Sequence, residues 1–376
     1  MTASDERRRD DGGAHGDGVP APGAATRPLR IAMISNYLPS DSKMGVGYQA
    51  HAMATALVDR GHDVVMFSPS PAVDGAGYEH RAVPVTGSLR TFKFALALRE
   101  QDFSGFDVIH AHGDDYWLWR RRAPVHVRTM HGSCFEEALR IRGAKERLRM
   151  LLLGVTETIA SLVADRTVLV SPRTRRWMPW VSTVVPNGVD VQRFAAPAPK
   201  SENPTVLFVG TWGGRKRGSM LADSFLRDVL PAVPDAELRM VTRDAPDDLP
   251  PSVRALGRLT DEELVAEYAR AWVFCLPSTY EGFGIPYAEA MAAGLPVVAT
   301  PNVGARFVTD DGRAGILAEP GELGHVITAL LDDDERRAAL AAVGTRRARS
   351  FDLGRVVDAY ERIYLERLDR HRRGRG

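Results

Sequence analysis

From Arg30 onward, short runs of consecutive apolar residues alternate with stretches in which apolar positions recur every three to four residues. Continuous apolar runs are typical of strands buried on both faces of a parallel sheet, and the longer period is typical of helices. A helix is predicted over residues 49–60, between the first two strands. The predicted strands fall into a first series (31–35, 63–67, 107–111, 125–128, 167–170, 183–185) and a second series (205–209, 237–241, 272–276, 297–299, 315–317). This alternation predicts an α/β fold with two doubly wound sheets.

A proline-rich segment of small residues separates the two series and predicts a linker. The first 28 residues are charged, rich in glycine, alanine and proline, and lack the apolar core of a secretory signal, so we expect a disordered tail there. The predicted organisation is a tail (1–28), a first domain (29–194), a linker (195–204), a second domain (205–352), a final helix (353–368) and a basic tail (369–376).

Composition narrows the class of protein. A chain of 376 residues with 44% hydrophobic residues has ample core for two domains. Its formal net charge of +1 argues against a nucleic-acid partner. Cys134 and Cys275 are far apart, and the second lies in a predicted core strand, so we expect neither a disulfide nor a metal site. The longest apolar stretch, residues 150–164, is too short to span a bilayer. These features favour a cytoplasmic protein without a transmembrane segment.

The strongest candidate for chemistry follows the predicted strand at residues 272–276. Glu281 and Glu289 lie eight residues apart across a strand-to-helix junction, with Gly282 and Gly284 in the loop. Free backbone N–H groups and the positive end of the helix favour a phosphate there, and Pro286 suits the first helical turn. One carboxylate can then bind sugar hydroxyls and the other the ribose hydroxyls of a nucleotide. The donor-binding candidates of this segment are Gly282, Phe283, Gly284, Ile285 and Glu289.

This segment resembles the E-x7-E signature of the family 4 retaining glycosyltransferases, with Glu281 and Glu289 at the two glutamate positions. The resemblance covers residues 29–364. It implies the GT-B fold, in which two Rossmann-like domains face each other across a cleft and the C-terminal helix crosses back to the first domain. It also implies that a sugar passes from a nucleoside-diphosphate sugar to a hydroxyl acceptor with retention, without a metal or other cofactor, and that Glu281 is catalytic.

Three further segments match landmarks of that family. Lys216 falls at the position of the lysine that neutralises the diphosphate, whereas Thr211 stands where the family has an arginine, so we expect Arg215 to substitute. His131 follows the predicted strand at 125–128 and resembles the histidine that sits over the donor sugar. The Asn-Gly-Val-Asp segment at residues 187–190 is interpreted as mainly architectural.

The segment at residues 45–50 also matches the dinucleotide pattern G-x-G-x-x-A, which raises the alternative of an NAD-dependent enzyme. Some nine residues intervene between the first strand and this pattern, and the second strand ends in Ser68-Pro69 rather than in an acid for the ribose. We therefore assign Gly45 and Gly47 to the glycine-rich loop that the family places near the donor phosphates.

Acceptor recognition is expected from loops of the first domain that face the cleft. The candidates, acids beside aromatic residues, are Asp114, Asp115, Tyr116 and Glu136. They suit a small sugar, a glycan or an amine-bearing metabolite. Residues 89–99 alternate basic and apolar positions, which is compatible with peripheral membrane contact, but a buried amphipathic helix explains the pattern more simply.

Two other functions stay open at this point. One is a sugar phosphorylase or nucleotide-sugar epimerase on the same fold. The other is a non-catalytic nucleotide-sugar-binding subunit, which Thr211 favours and which both glutamates and Lys216 oppose.

Overall fold

The first sheet has six strands, all parallel, in the order β3-β2-β1-β4-β5-β6. The computed structural model describes residues 27–40, 45–87, 89–119, 125–141 and 143–373. The strands are β1 (Arg30–Ile34), β2 (Asp63–Ser68), β3 (Glu79–Ala82), β4 (Val108–Ala111), β5 (Val125–Met130) and β6 (Arg166–Leu169). In the central register, Ile31 lies beside Val64 on one side and Val108 on the other. The chain therefore reverses its winding direction between β1 and β4, which opens a crevice at their carboxyl ends.

The second sheet repeats this arrangement, in the order β12-β11-β10-β7-β8-β9. Its strands are β7 (Thr205–Val209), β8 (Glu237–Val241), β9 (Val253–Ala255), β10 (Val273–Leu276), β11 (Val297–Ala299) and β12 (Ile316–Leu317). β7 and β10 are neighbours, so the residues that follow them lie together at one edge of the sheet. The loop with Lys216 follows β7 and the loop with Glu281 follows β10.

Twelve α-helices of the described residues flank the sheets or connect the domains. Those of the first half are α1 (Gly45–Asp59), α2 (Arg90–Ala97), α3 (Cys134–Ala138), α4 (Ala144–Val163) and α5 (Val191–Phe194). Those of the second half are α6 (Gly218–Ser224), α7 (Asp261–Arg270), α8 (Ile285–Ala292), α9 (Val303–Val308), α10 (Leu323–Leu331), α11 (Asp334–Ala348) and α12 (Leu353–Arg373).

The C-terminal helix α12 returns to the first domain. Its apolar stripe, including Val357 and Tyr364, is buried with Ala50 and Met53 of α1. The Tyr364 hydroxyl is 2.6 Å from His110 Nδ1 on β4. The predicted α/β class, the two Rossmann-like sheets and the returning helix are confirmed.

Local differences from the expectations have simple causes. Residues 183–185 make only an isolated bridge, between Val184 and Leu169, instead of a strand. The helix predicted from residue 49 begins at Gly45, so Gly45 and Gly47 lie in the first turn of α1 rather than in a loop. α2 buries Phe94 and Ala95, as expected of an amphipathic helix against the sheet. In the described part of the chain, no helix combines the length and apolar character that a membrane crossing requires.

Candidate active site

The glutamate loop lies between β10 and α8, above the carboxyl edge of the second sheet. Gly284 adopts φ 93°, a left-handed conformation that glycine accepts without strain, and it precedes the first residue of α8. Pro286 lies in the first turn of the helix. Pro286 has no N–H group, and the Tyr287 N–H donates to the Gly284 carbonyl oxygen at 3.0 Å, so Ile285 is the residue of the first turn whose N–H has no acceptor within the helix. The junction has the strand, loop and helix that were predicted, and anion binding there stays a prediction.

Glu281 is the centre of a buried charge cluster. Lys216 Nζ and Arg215 Nη1 each lie 2.7 Å from the same oxygen, Oε1 of Glu281. Burial opposes ionisation of this carboxyl, but the two cations outweigh it and lower its pKa. Burial lowers the pKa of Lys216, and Glu281 partly offsets that effect. The side chains of Glu281 and Lys216 are 7% and 14% exposed, whereas that of Arg215 is 45% exposed at the mouth of the site.

Glu289 lies one turn into α8 and has a different environment. The Tyr268 hydroxyl donates to Glu289 Oε2 at 2.8 Å. Burial raises the pKa of Glu289 to about 7, although Tyr268 and Lys216 act in the opposite direction. The two glutamates of the motif thus differ in charge near neutral pH: Glu281 is ionised and Glu289 titrates there.

His131 faces this loop from the end of β5 and is held at both ring nitrogens. Its Nδ1 lies 3.1 Å from Asn187 Oδ1, and its Nε2 lies 2.9 Å from Nδ1 of His112. Because the amide oxygen only accepts, His131 Nδ1 donates and His131 Nε2 accepts from His112. Burial lowers the pKa of His131 to about 4 despite the hydrogen bond from its ring to Asn187. His131 is therefore a neutral imidazole in one fixed tautomer.

Glycine residues allow the two domains to approach each other closely. A Cβ placed on Gly282 would lie 2.1 Å from the carbonyl oxygen of His131, and one on Gly45 would lie 3.3 Å from Ile285 Cδ1. The Ser133 backbone N–H donates to the Tyr280 hydroxyl oxygen at 3.1 Å across the same boundary. The glutamate loop and the start of α1 therefore contact the opposite domain directly, and the cleft closes onto Glu281.

Three carboxyl groups of the first domain have pKa values raised by burial. Asp114 has φ 60°, an uncommon conformation for a residue with a side chain, and its Oδ2 accepts from Asn36 Nδ2 at 2.7 Å. Burial raises its pKa to about 6. Glu157 accepts from the Cys134 backbone N–H at 3.0 Å, and burial also raises its pKa. Burial raises the pKa of Glu137, which interacts electrostatically with Arg215 and Glu281 across the cleft.

Comparison with known proteins agrees with this geometry. Residues 44–193 match the sequence model of Glycosyltransferase Family 4, and residues 203–333 match that of Glycosyl transferases group 1. The phosphatidyl-myo-inositol mannosyltransferase of Mycolicibacterium smegmatis is 30% identical over 373 residues, which cover 89% of this chain and 93% of that protein. The chain belongs to glycosyltransferase family 4.

Two solved structures share the fold of this glycosyltransferase. Sucrose-phosphate synthase from Thermosynechococcus elongatus superposes with a TM-score of 0.76 at 20% identity, covering 90% of this chain and 98% of that one. HepE from Anabaena, solved with UDP-glucose, superposes with a TM-score of 0.69 at 17% identity, covering 90% and 100%. Both confirm the GT-B architecture.

The structure brings most of the predicted donor-side residues of the glycosyltransferase together. Glu281, Lys216 and Arg215 are in contact, and Gly282 packs against His131 across the cleft. Glu289 lies on α8, the helix that follows the loop with Glu281. The predicted donor-binding set Gly282, Phe283, Gly284 and Ile285 forms the junction between β10 and α8. Gly47 has a packing role besides: its Cβ position lies 2.7 Å from the Tyr37 carbonyl oxygen.

The predicted acceptor residues separate into two groups. Asp114 is held by the hydrogen bond from Asn36. Asp115 is fully buried and pairs with His126 and Arg128 on β5. Tyr116 is buried with Ala95 and Ala160. Glu136 accepts from Trp177 Nε1 at 2.6 Å, so its neighbour Glu137 is the acid of α3 that interacts with the cleft. These contacts give Asp115, Tyr116 and Glu136 structural roles and move the acceptor hypothesis to Asp114 and Glu137.

Several residues of the site carry no strong sequence signal. Asp244 accepts from the backbone N–H groups of Trp212 and Gly213 and so orders the loop after β7. Asn187, interpreted as architectural, also fixes the His131 tautomer. Among these residues, Glu157 could have been recognised from the sequence. It is the only charged residue in the apolar stretch at 150–164, and a lone charge in such a stretch implies a buried partner.

Proposed function

We propose that this glycosyltransferase uses a nucleoside-diphosphate sugar as donor and transfers the sugar to a hydroxyl acceptor with retention of configuration. The observation that carries the proposal is the pair of cations on one oxygen of Glu281, beside the N-terminus of α8. Two positive groups and the N-terminus of a helix suit a diphosphate leaving group. Arg215 then takes the role of the family's arginine, because Thr211 occupies that position in this chain.

The proposed chemistry is electrostatic and positional. As the bond from the anomeric carbon to the diphosphate oxygen breaks, negative charge grows on the diphosphate next to Lys216 and Arg215. Glu281 holds sugar hydroxyls, and Glu289 accepts from the ribose hydroxyls. The acceptor hydroxyl attacks from the face that the diphosphate leaves, and the departing phosphate oxygen takes its proton. The neutral imidazole of His131, fixed in one tautomer, packs over the sugar and does not act as a general acid.

The acceptor side favours a neutral or amine-bearing acceptor. Asp114, Glu137 and Glu157 supply three carboxyls of the first domain, and the buried Arg128 interacts electrostatically with Asp114 and Glu157. Each of these carboxyls can accept a hydrogen bond from a hydroxyl or amine group of an acceptor. The mannosyltransferase relative is named for phosphatidyl-myo-inositol. We propose that this chain instead selects a small sugar, glycan or amine-bearing metabolite through these carboxyls.

The first test is a thermal-shift titration of the purified chain with UDP, GDP, ADP and dTDP, with and without magnesium. A ligand that binds only the native state raises the melting temperature, and the shift grows with the ratio of ligand concentration to Kd. We expect one nucleotide to give a selective shift that chelation with EDTA leaves intact. A shift that needs magnesium would contradict the metal-independent scheme, and no shift with any nucleotide would favour a non-catalytic subunit.

The matching donor sugars then identify the reaction. We measure nucleotide release from the sugars of the selected base, including GDP-mannose and UDP-glucose, with neutral, amine-bearing and phosphorylated acceptors. Glu281→Gln should lower turnover by at least about tenfold with folding intact, because a neutral amide loses the charge held by Lys216. Glu202→Gln, an exposed glutamate of the linker, is the control. The anomeric configuration of the product by NMR tests retention, and product formed with phosphate or water alone would indicate a phosphorylase or an epimerase.

A further inference from the structure

The outward face of α4 carries apolar side chains that no described part of the chain covers. Its six residues, here called the α4 face, are between 38% and 69% exposed and are Leu148, Leu151, Leu152, Val155, Ile159 and Leu162. The opposite face is buried against the domain through Gly154 and Ala160. An exposed apolar patch of this length on a folded domain indicates an interaction surface.

Two basic side chains border the α4 face, one on each side. At about 100° per residue, the six apolar side chains occupy an arc of about 100° whose edges are Leu151 and Leu152. On the same projection Lys145 and Arg147 lie about 20° and about 40° beyond the two edges. Both are exposed, and neither has an ion-pair partner among the residues that the structure describes. An apolar arc bordered by cations is typical of a helix that lies in the surface of a membrane.

The acidic residues of this segment are turned away from the α4 face. Glu146 lies on the opposite side of the helix and pairs with Arg149 at 2.8 Å. Glu157 is on the buried side, where it accepts from a backbone N–H of α3. Asp165, just after the helix, accepts from a backbone N–H of β5 at 2.7 Å. The α4 face therefore presents apolar groups and positive charge, which complement an anionic lipid surface.

An exposed tryptophan extends this surface beside the C-terminal half of α4. Trp180 is 49% exposed, and its Nε1 donates to Ser161 Oγ at 3.2 Å. The indole N–H thus has a partner within the protein while much of the ring faces outward. Arg175 and Arg176, both exposed, precede Trp180 in the chain. Tryptophan beside basic residues suits the boundary between water and the bilayer.

We propose that the α4 face docks this glycosyltransferase onto an anionic lipid bilayer. The helix lies parallel to the surface, its apolar side chains lie below the headgroups, and the ammonium of Lys145 and the guanidinium of Arg147 reach the lipid phosphates. Because the charges act at the surface, the binding is reversible and falls with salt. The α4 face contains none of the residues assigned to the active site, so docking depends on neither donor nor acceptor.

The test is flotation of the purified full chain with lipid vesicles in a density gradient. Wild type should float with vesicles of phosphatidylglycerol mixed with phosphatidylcholine and stay at the bottom with phosphatidylcholine alone. Raising the salt from about 0.1 M to about 1 M shortens the Debye length about threefold and should weaken the binding.

Substitutions then separate the apolar part of the surface from the charged part. Val155→Glu, at the centre of the face, and Leu162→Glu, at its most exposed position, should abolish flotation with unchanged circular dichroism and unchanged nucleotide binding. Lys145→Ser combined with Arg147→Ser should weaken vesicle binding about 25-fold, since each basic residue near an anionic surface contributes about fivefold. The matched control is Leu96→Glu on α2, an apolar residue that is 52% exposed and outside the face, which should float like wild type.

Three outcomes would overturn the proposal. The first is a wild type that does not float with phosphatidylglycerol vesicles or binds phosphatidylcholine equally well. The second is flotation that both glutamate variants of the α4 face leave intact. The third is a wild type that is dimeric in light scattering and becomes a monomer of 41.2 kDa in Val155→Glu, which would assign the α4 face to a second copy of the chain.

Discussion

Replacing Gly282 by alanine tests the contact between the domains and leaves the charge cluster at Glu281 unchanged. The added methyl group would lie 2.1 Å from the His131 carbonyl oxygen and 3.1 Å from Gly132 Cα. Ordinary contact begins at 3.4 Å, so the two segments must separate by 1.3 Å. Because the atom in the way belongs to the backbone, no rotamer change relieves the clash. Gly282 has no left-handed φ, so alanine is otherwise compatible with the loop.

The expected effect is on turnover rather than on folding. A displacement of about 1 Å between reacting groups costs about 100-fold in rate, or about 2.7 kcal/mol. Lys216 and Arg215 reach Glu281 within the second domain, and the substitution leaves them in place. We therefore expect kcat/KM for nucleotide release to fall about 100-fold while the affinity for the free nucleoside diphosphate is retained.

The assay pairs single-turnover nucleotide release with calorimetry of nucleoside-diphosphate binding. The control is Gly321→Ala in the same domain, where an added Cβ meets no atom within 4 Å. Gly132→Ala gives a graded comparison, because its Cβ would meet the Tyr280 hydroxyl at 2.9 Å, the end of a side chain that can move. We expect a smaller loss for this variant. Wild-type turnover in Gly282→Ala with an unchanged melting temperature would refute the view that the closed contact between loop and His131 belongs to the active form.

Three further predictions concern individual side chains. Lys216→Ala should weaken nucleoside-diphosphate binding by about 1.5–3 kcal/mol, the value of a charge-assisted hydrogen bond, in calorimetry, whereas the exposed Lys145→Ala should not change it. Burial raises the pKa of Glu289 to about 7, and in the proposed function its deprotonated form accepts from the ribose. Donor affinity should therefore rise about tenfold from about pH 6 to about pH 8, and the dependence should vanish in Glu289→Gln; a slope retained in the variant would assign it to another group. Asn187→Ala should release Nδ1 of His131 and lower turnover about tenfold, whereas unchanged imidazole nitrogen shifts in NMR would contradict the fixed tautomer.

Much of the fold could be predicted because its strands are buried on both faces. β10 is fully buried, and its four residues form an apolar run that is visible in the sequence. The two strands that the sequence did not reveal, β3 and β9, lie at the edges of their sheets and carry exposed residues. Their pairing depends on a neighbour from elsewhere in the chain, and edge strands need no continuous apolar run.

The contact between Glu281 and Lys216 was predictable for a related reason. Glu281 and Lys216 each follow a recognisable strand, and parallel strands bring their carboxyl ends to one edge. The acceptor side was not, since adjacent residues there differ in direction. Glu136 faces Trp177 while Glu137 interacts with the opposite domain. The rotation of the short helix α3 about its axis decides which of the two glutamates points to the opposite domain. Tertiary packing sets that rotation.

The return of α12 has a consequence for the order of folding during synthesis. Tyr360 and Tyr364 of α12 contribute to the core of the first domain, where the Tyr360 hydroxyl lies 2.6 Å from Thr129 Oγ1 on β5. The ribosome therefore delivers the second domain complete while the first still lacks part of its core. The half of the enzyme that is made first is finished last. Until its final helix arrives, the first domain lacks this part of its core, and a truncation at the C-terminus damages the N-terminal half of the molecule.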